Sequence, residues 1–390
     1  MKKMTFSLGL TLLMFTNVLC VHAQKDLDDI TFGKYRYVHS DIMNEDRQLF
    51  VYLPDDYDSS NESYPVVFQL YSHFMHNYYL PAIRTTDIMG GNGQAPKMIV
   101  VGIKNREFRY RDLLPEDHWG GKSEIDNFLK FFETELIPFI EKNYRCKDYR
   151  ILSGPQAGAS FGVYAMSVKP DLFNAYFLTS PFWVASSRET LLNKFADAVK
   201  KNDFSNTFIM TSYGKYEAGE ELKAIQKFQE LITEIKSPSF EYFENILDPE
   251  FDFSSPIDFE KGMKRLFKDY KFPGVEKGQD LATIISYYKN LSKKMNMQIK
   301  IPEHALVFEG DKFVAENDLD TALEIFKKMH ALYPEGLMGY DRIGDVYHKK
   351  GMYLESIKYY QMFLDRQPEN PRIVNMIKAI EKEMAEQEKI

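Results

Sequence analysis

Cysteine is nearly absent from this chain: two in 390 residues, too few for a disulfide framework or a zinc ribbon. Positive charge is in short supply as well. The 49 Lys and Arg against 57 Asp and Glu leave a formal charge of −8, which excludes a general nucleic-acid binder, because phosphate neutralisation needs a basic face. No segment after the N-terminal one is apolar enough to span a bilayer. No glycine-rich phosphate loop precedes a helix in the required form. What is abundant is aromatic: 30 Phe and 25 Tyr in a chain that is 44% hydrophobic. Such a composition builds a large globular core, and the length suggests two or three domains.

The first 23 residues read as an address. Lys2 and Lys3 make a basic start, Met4 to Leu19 is mostly apolar, and Val21-His22-Ala23 places small residues at −3 and −1 before Gln24. This pattern predicts a secretory signal peptide cleaved after Ala23, hence an exported protein, periplasmic or extracellular. Cys20 does not make a lipoprotein site, because Leu19 before it is bulky. Cleavage leaves Cys146 as the only cysteine, so no disulfide supports the mature fold.

Tyr35–Val38 and Arg47–Pro54 read as an antiparallel strand pair. The short apolar runs 64–70 and 98–103 suit buried parallel strands. Helical spacing follows over 123–144, then a strand over 149–154, a helix through about Val168, and strands near 173–178 and 207–211. This alternation predicts an α/β fold with a doubly wound sheet over residues 24–275. A linker with a helix covers 276–302. The C-terminal part then repeats with a 34-residue period: Gly310/Gly344, Phe313/Tyr347, Ala322/Ser356, Phe326/Tyr360 and Pro334/Pro368. That is the tetratricopeptide pattern, in which small residues let paired helices approach. It predicts a small all-α domain over 303–390, with repeats at 303–336 and 337–370 and a capping helix from Ile373. Such repeats point to a protein partner, and they are expected to dock on the α/β domain.

Further runs carry a resemblance. They are Tyr64-Pro65-Val66, Asn105-Arg106-Glu107-Phe108-Arg109-Tyr110-Arg111-Asp112-Leu113-Leu114-Pro115, Glu135-Leu136-Ile137-Pro138, Pro170-Asp171-Leu172-Phe173 and Ser180-Pro181-Phe182-Trp183. Over roughly Tyr35 to Phe267 the chain resembles the esterase family of α/β-hydrolases related to esterase D and enterochelin esterase. The resemblance implies a nucleophile elbow of the form Gly-His-Ser-x-Gly-Gly after a strand. Here the run is Gly154-Pro155-Gln156-Ala157-Gly158-Ala159. Gln156 therefore falls at the nucleophile position, and a carboxamide forms no acyl intermediate. A second register, Gly158-Ala159-Ser160-Phe161-Gly162, offers Ser160 as an alternative nucleophile, provided the strand lengthens and the helix loses a turn. Otherwise Ser160 is a helix serine.

The resemblance also places Glu217 at the acid position and Asp252 where the histidine belongs. After Gln156 only His304, His330 and His348 remain, all in or beside the repeats. A carboxylate is a poor proton shuttle near neutral pH. Leu70-Tyr71-Ser72 stands where the family supplies part of its oxyanion hole, usually as Leu-Asp-Gly. His73, His76 and His118 lack the companion ligands that zinc requires, and no cofactor or metal is expected. Arg106, Arg109, Arg111 and Asp112 are expected to form a structural ion-pair network. The reading that results is an exported esterase-like protein with a degenerate triad, acting as a binding or interaction protein for a partner or a small ester- or carbohydrate-like ligand. The alternative is an active serine esterase using Ser160.

Overall fold

The structure is a computed structural model that describes residues 31–116, 122–181, 183, 188–214, 218–247, 256–273 and 278–387. Gly33–Ile390 form one compact unit. The signal-peptide segment, His118, Glu217 and Asp252 lie outside the described residues.

Eight strands make one sheet: β1 (Lys34–Ser40), β2 (Glu45–Tyr52), β3 (Tyr64–Gln69), β4 (Ile99–Ile103), β5 (Cys146–Pro155), β6 (Ala175–Thr179), β7 (Phe208–Gly214) and β8 (Glu241–Leu247). Their order is β1-β2-β4-β3-β5-β6-β7-β8. β1–β2 and β2–β4 pair antiparallel, and every other pairing is parallel. β3 and β4 are buried at every position, as the uninterrupted apolar runs require when both faces of a parallel sheet are covered. Alternate residues serve opposite faces. Val66, Phe68 and Leu70 enter one core, whereas Val67 enters the other.

The first core is closed by α2 (Arg109–Leu113), α3 (Ile125–Phe131), α4 (Ile137–Asn143), α5 (Ala157–Val168), α6 (Arg188–Lys201) and α7 (Gly219–Thr233). A single π-helical stretch, Phe132–Leu136, joins α3 to α4, so the expected helix over 123–144 is continuous in direction but not uniform in hydrogen bonding. The second core is closed by α1 (Leu80–Gly91) and α8 (Pro256–Leu266). It then runs without a break into α9 (Leu281–Lys294), α10 (Glu303–Ala315), α11 (Leu319–Leu332) and α12 (Leu337–Lys349).

A strap that leaves α9 through a turn at Met295 and Asn296 makes that junction. Met295, Met297, Ile299 and Ile301 are buried in alternation in the second core, and Asn296 and Gln298 face out. Lys147 Nζ donates to the Gln298 carbonyl at 2.8 Å and Lys300 pairs with Glu62 at 2.5 Å. The strap therefore fastens the C-terminal helices to the sheet. Beyond α12, α13 (Tyr353–Leu364) and α14 (Pro371–Gln387) close a smaller core around Tyr340, Tyr360, Ile373 and Ile380.

Candidate functional site

The parallel register brings several strand ends to one ridge. Gln69 pairs with Gly102 and Ser153, Pro155 pairs with Thr179, and Thr179 pairs with Ser212. The strand order reverses on either side of β3, with β4 to one side and β5 to the other. Open α/β sheets bind ligands in the crevice that this reversal creates.

At the ridge β5 turns into α5 through one residue. Gln156 holds φ 50° and ψ −120°, a left-handed conformation that costs a side-chain-bearing residue of order 1–3 kcal/mol. Backbone bonds hold it there. Its N–H donates to the Thr179 carbonyl at 2.8 Å, and its carbonyl accepts from the Ser160 N–H at 3.1 Å. The turn is also tight: a Cβ on Gly154 would lie 2.8 Å from the Gly158 carbonyl carbon, so α5 starts directly against its own strand. This is a strand, a strained residue and a helix in immediate succession, and the residue presented is Gln156. Ser160 sits a turn further along α5 with no exposed surface, its hydroxyl donating to the Gln156 carbonyl at 3.4 Å.

Two more residues on the ridge hold positive φ, Tyr71 after β3 (59°) and Ser180 after β6 (44°). Leu70 meets Gly158 at the start of α5, with 3.3 Å between its Cβ and a Cβ built on that glycine. Tyr71, which follows Leu70, is buried beside this turn. Burial holds that phenol neutral by raising its pKa well above the usual tyrosine value. Ser72 is turned inward, its hydroxyl donating to the Gln69 carbonyl at 2.8 Å.

His73 lies beside Tyr71, with 5.4 Å between ring centroids. Burial, then the Arg109 and Arg106 charges, push its pKa down to about 4, so it is neutral at physiological pH. Both of its ring nitrogens are buried without a hydrogen-bond partner, and so is the amide of Asn105. His76 is exposed on the π-helical turn Met75–Tyr79. Among the described residues no three His, Cys, Asp or Glu side chains converge as a metal-binding group.

The expected arginine network is half right in membership. Arg111 contacts Asp112 at 2.8 Å and Glu45 at 2.6 Å, and Arg47 joins them through Asp112 at 2.6 Å and through Glu45. Arg47 and Asp112 are almost fully buried. Arg106 and Arg109 belong to no ion pair among the described residues. Arg109 instead lies over the Tyr110 ring at 4.8 Å, and both guanidiniums act on His73. The correction has a simple cause. Arg106 precedes α2, Arg109 and Arg111 stand two positions apart on it and so face away from each other, and the further partners Glu45 and Arg47 come from β2.

One buried acid went unnoticed in the sequence. Asp258, in the first turn of α8, is 2% exposed. It accepts from Ser212 Oγ at 3.0 Å and Asn245 Nδ2 at 2.7 Å, and Lys261 Nζ donates to Asn245 Oδ1 at 3.0 Å. Burial, only partly offset by these donors, pushes its pKa up to about 6. No spacing in the sequence singles it out, because its partners come from β7 and β8. The three late histidines stay in the C-terminal helices. His348 bonds to Glu383 at 3.0 Å, His330 packs on Tyr340, and His304 lies against Gly93.

Comparison with known proteins agrees with this architecture. The chain is similar to an IroE-like serine hydrolase from Shewanella oneidensis, at 22% identity and a TM-score of 0.63 over 77% of this chain and 99% of that one. It is similar to an uncharacterised protein from Capnocytophaga ochracea at 16% identity and a TM-score of 0.61, over 90% of this chain and 99% of that one. The BES protein from Bacillus cereus matches at 19% identity and a TM-score of 0.53, over 62% and 97%. At these identities the likeness is one of fold. No curated protein matches the chain significantly. The model of the family described as Putative esterase matches residues 40–238. With just over half of its length matched and the hydrolase sheet and elbow turn in place, this chain belongs to that esterase family.

Proposed function

We propose that this protein is an exported, non-hydrolytic member of the esterase family that uses the crevice at Gln156 to bind rather than to cleave. The observation that carries the reading is the elbow itself. The one residue in the strained strand-to-helix turn is a glutamine, whose amide nitrogen lone pair is delocalised and forms no acyl intermediate. Asp252, at the histidine position implied by the family resemblance, gives no proton shuttle near neutral pH, and Glu217 alone does not make a triad. The ligand class is a small ester- or carbohydrate-like molecule, with neither nucleic acid nor a membrane span involved.

The C-terminal helices fit the second half of the proposal, tetratricopeptide repeats that meet a protein partner. Gly310 faces the Phe326 ring, and 34 residues on Gly344 faces the Tyr360 ring, where an added Cβ would lie 2.6 Å away. The same small–aromatic contact recurs at the repeat interval.

The test is enzymatic. The purified mature chain should leave p-nitrophenyl acetate and butyrate intact and take no label from a fluorophosphonate probe. Turnover abolished by Ser160→Ala, with label on Ser160, would establish the active esterase instead. Against that second reading stands a Ser160 with no exposed surface and its hydroxyl turned back to the Gln156 carbonyl.

A further inference from the structure

The crevice at Gln156 lies at the C-terminal ends of the parallel strands. Their opposite ends frame a second hollow of about 350 Å³, near the lower end of the range for small-molecule sites, roughly 300–1,000 Å³. Its walls are the segments that lead into β3, β4 and β5 and the start of α10. Most charges in these walls are matched. Lys97 Nζ lies 2.6 Å from Asp55 and 3.1 Å from Asp56. Lys300 is held by Glu62 at 2.5 Å and by the face of the Tyr333 ring at 3.8 Å. One charge of each sign is left over. Glu303 makes no ion pair among the described residues, and its Oε1 is buried without a hydrogen-bond donor. Lys147 makes no ion pair among them either. Its Nζ donates to the Gln298 carbonyl at 2.8 Å, and an ammonium has three protons to give. Native proteins rarely leave such buried atoms unmatched. Burial raises the pKa of Glu303 and lowers that of Lys147, the direction each group takes when its charge is poorly compensated.

We propose that this hollow binds a small zwitterion of the free amino acid class, its ammonium on Glu303 and its carboxylate on Lys147. An ion of one sign satisfies one of the two groups and is repelled by the other. A neutral molecule compensates neither charge. Glu303 belongs to α10 and Lys147 to β5, so the bound zwitterion bridges the C-terminal helices and the sheet beside the strap. The inference is independent of the reading of Gln156, because the two sites lie at opposite ends of the parallel strands.

The experiment is thermal unfolding of the full chain at pH 7 with glycine, γ-aminobutyrate or 6-aminohexanoate, zwitterions of increasing charge separation. At least one of them should raise the melting temperature and then saturate, as a ligand of the folded state does. An excluded osmolyte gives no saturation. n-Butylamine and butyrate, which carry one charge each, should bind at least tenfold more weakly than that zwitterion. Glu303→Gln and Lys147→Gln should each weaken its binding at least tenfold. The proposal is overturned if no zwitterion gives a saturable rise, or if butylamine or butyrate matches the best of them. It is equally overturned if either variant binds as the wild type does. The comparison of zwitterion with singly charged analogues needs only the wild type, so it decides the matter even if a variant fails to fold. Ester hydrolysis enters none of these readouts, so failure here and failure of the non-hydrolytic reading are separately visible.

Discussion

Replacing Gln156 by glycine should make this protein more stable, although it deletes a partly buried side chain. The turn residue stands at φ 50° and ψ −120°, where a Cβ is crowded by its own backbone and glycine is not. Relief of that strain is worth roughly 1–3 kcal/mol. Glycine gives back about 0.5–1 kcal/mol through the greater freedom of the unfolded chain. The bonds that fix the turn, Gln156 N–H to the Thr179 carbonyl and Ser160 N–H to the Gln156 carbonyl, are all backbone and survive the change. A net gain of about 1 kcal/mol is expected, or roughly 2 °C in a chain this long. Gln156→Ala is the matched control, since it loses the same carboxamide but keeps the Cβ and hence the strain. Urea unfolding of the three proteins, followed by far-ultraviolet circular dichroism, separates the two contributions. If Gln156→Gly is no more stable than Gln156→Ala, the turn stores no strain, and the reasoning from its dihedrals is wrong.

Two further outcomes follow from the buried charges. The Asp258 carboxyl, pushed up to about 6 in the folded state, binds its proton more tightly folded than unfolded. Its contribution to stability therefore falls as pH rises from about 4 to about 6, and ionisation at neutral pH costs on the order of 3 kcal/mol. Asp258→Asn should accordingly gain on the wild type between pH 4.5 and pH 7. Parallel stability curves for the two proteins would exclude this assignment. Asp112→Ala strips the near-fully buried Arg47 of one carboxylate partner. It should destabilise by about 3–5 kcal/mol, the range for breaking a buried pair. A denaturation midpoint within error of the wild type would show that the pair does not hold β2 to α2.

How much of this was legible beforehand depends on how many neighbours each element has. β3 and β4 are covered on both faces, so their sequences are unbroken apolar runs and announce themselves. β8 is an edge strand whose outer half faces solvent, with only Asn245 and Leu247 buried, and its Glu241-Tyr242-Phe243-Glu244 start carries no comparable run. Arg111 and Asp112 could be suspected of pairing, but Glu45 and Arg47 lie more than 60 residues earlier and are delivered by the β2 register. Asp258 gave no sign at all, because burial of a carboxylate is a property of what folds over it.

The sequence by itself determined the local facts. These are the apolar period that makes an alternating sheet and helices, the small residues that let α5 start against β5, and a glutamine between that strand and that helix. Local chemistry of that kind depends on neighbours in the chain and is written there in order. Only the tertiary structure decided what surrounds those residues. It gave Gln156 its strained backbone, set Leu70 against Gly158 at the start of α5, and drew Asp258 beneath the strand ends. Such contacts join residues that are distant in the chain, so they exist only once the sheet has closed its register.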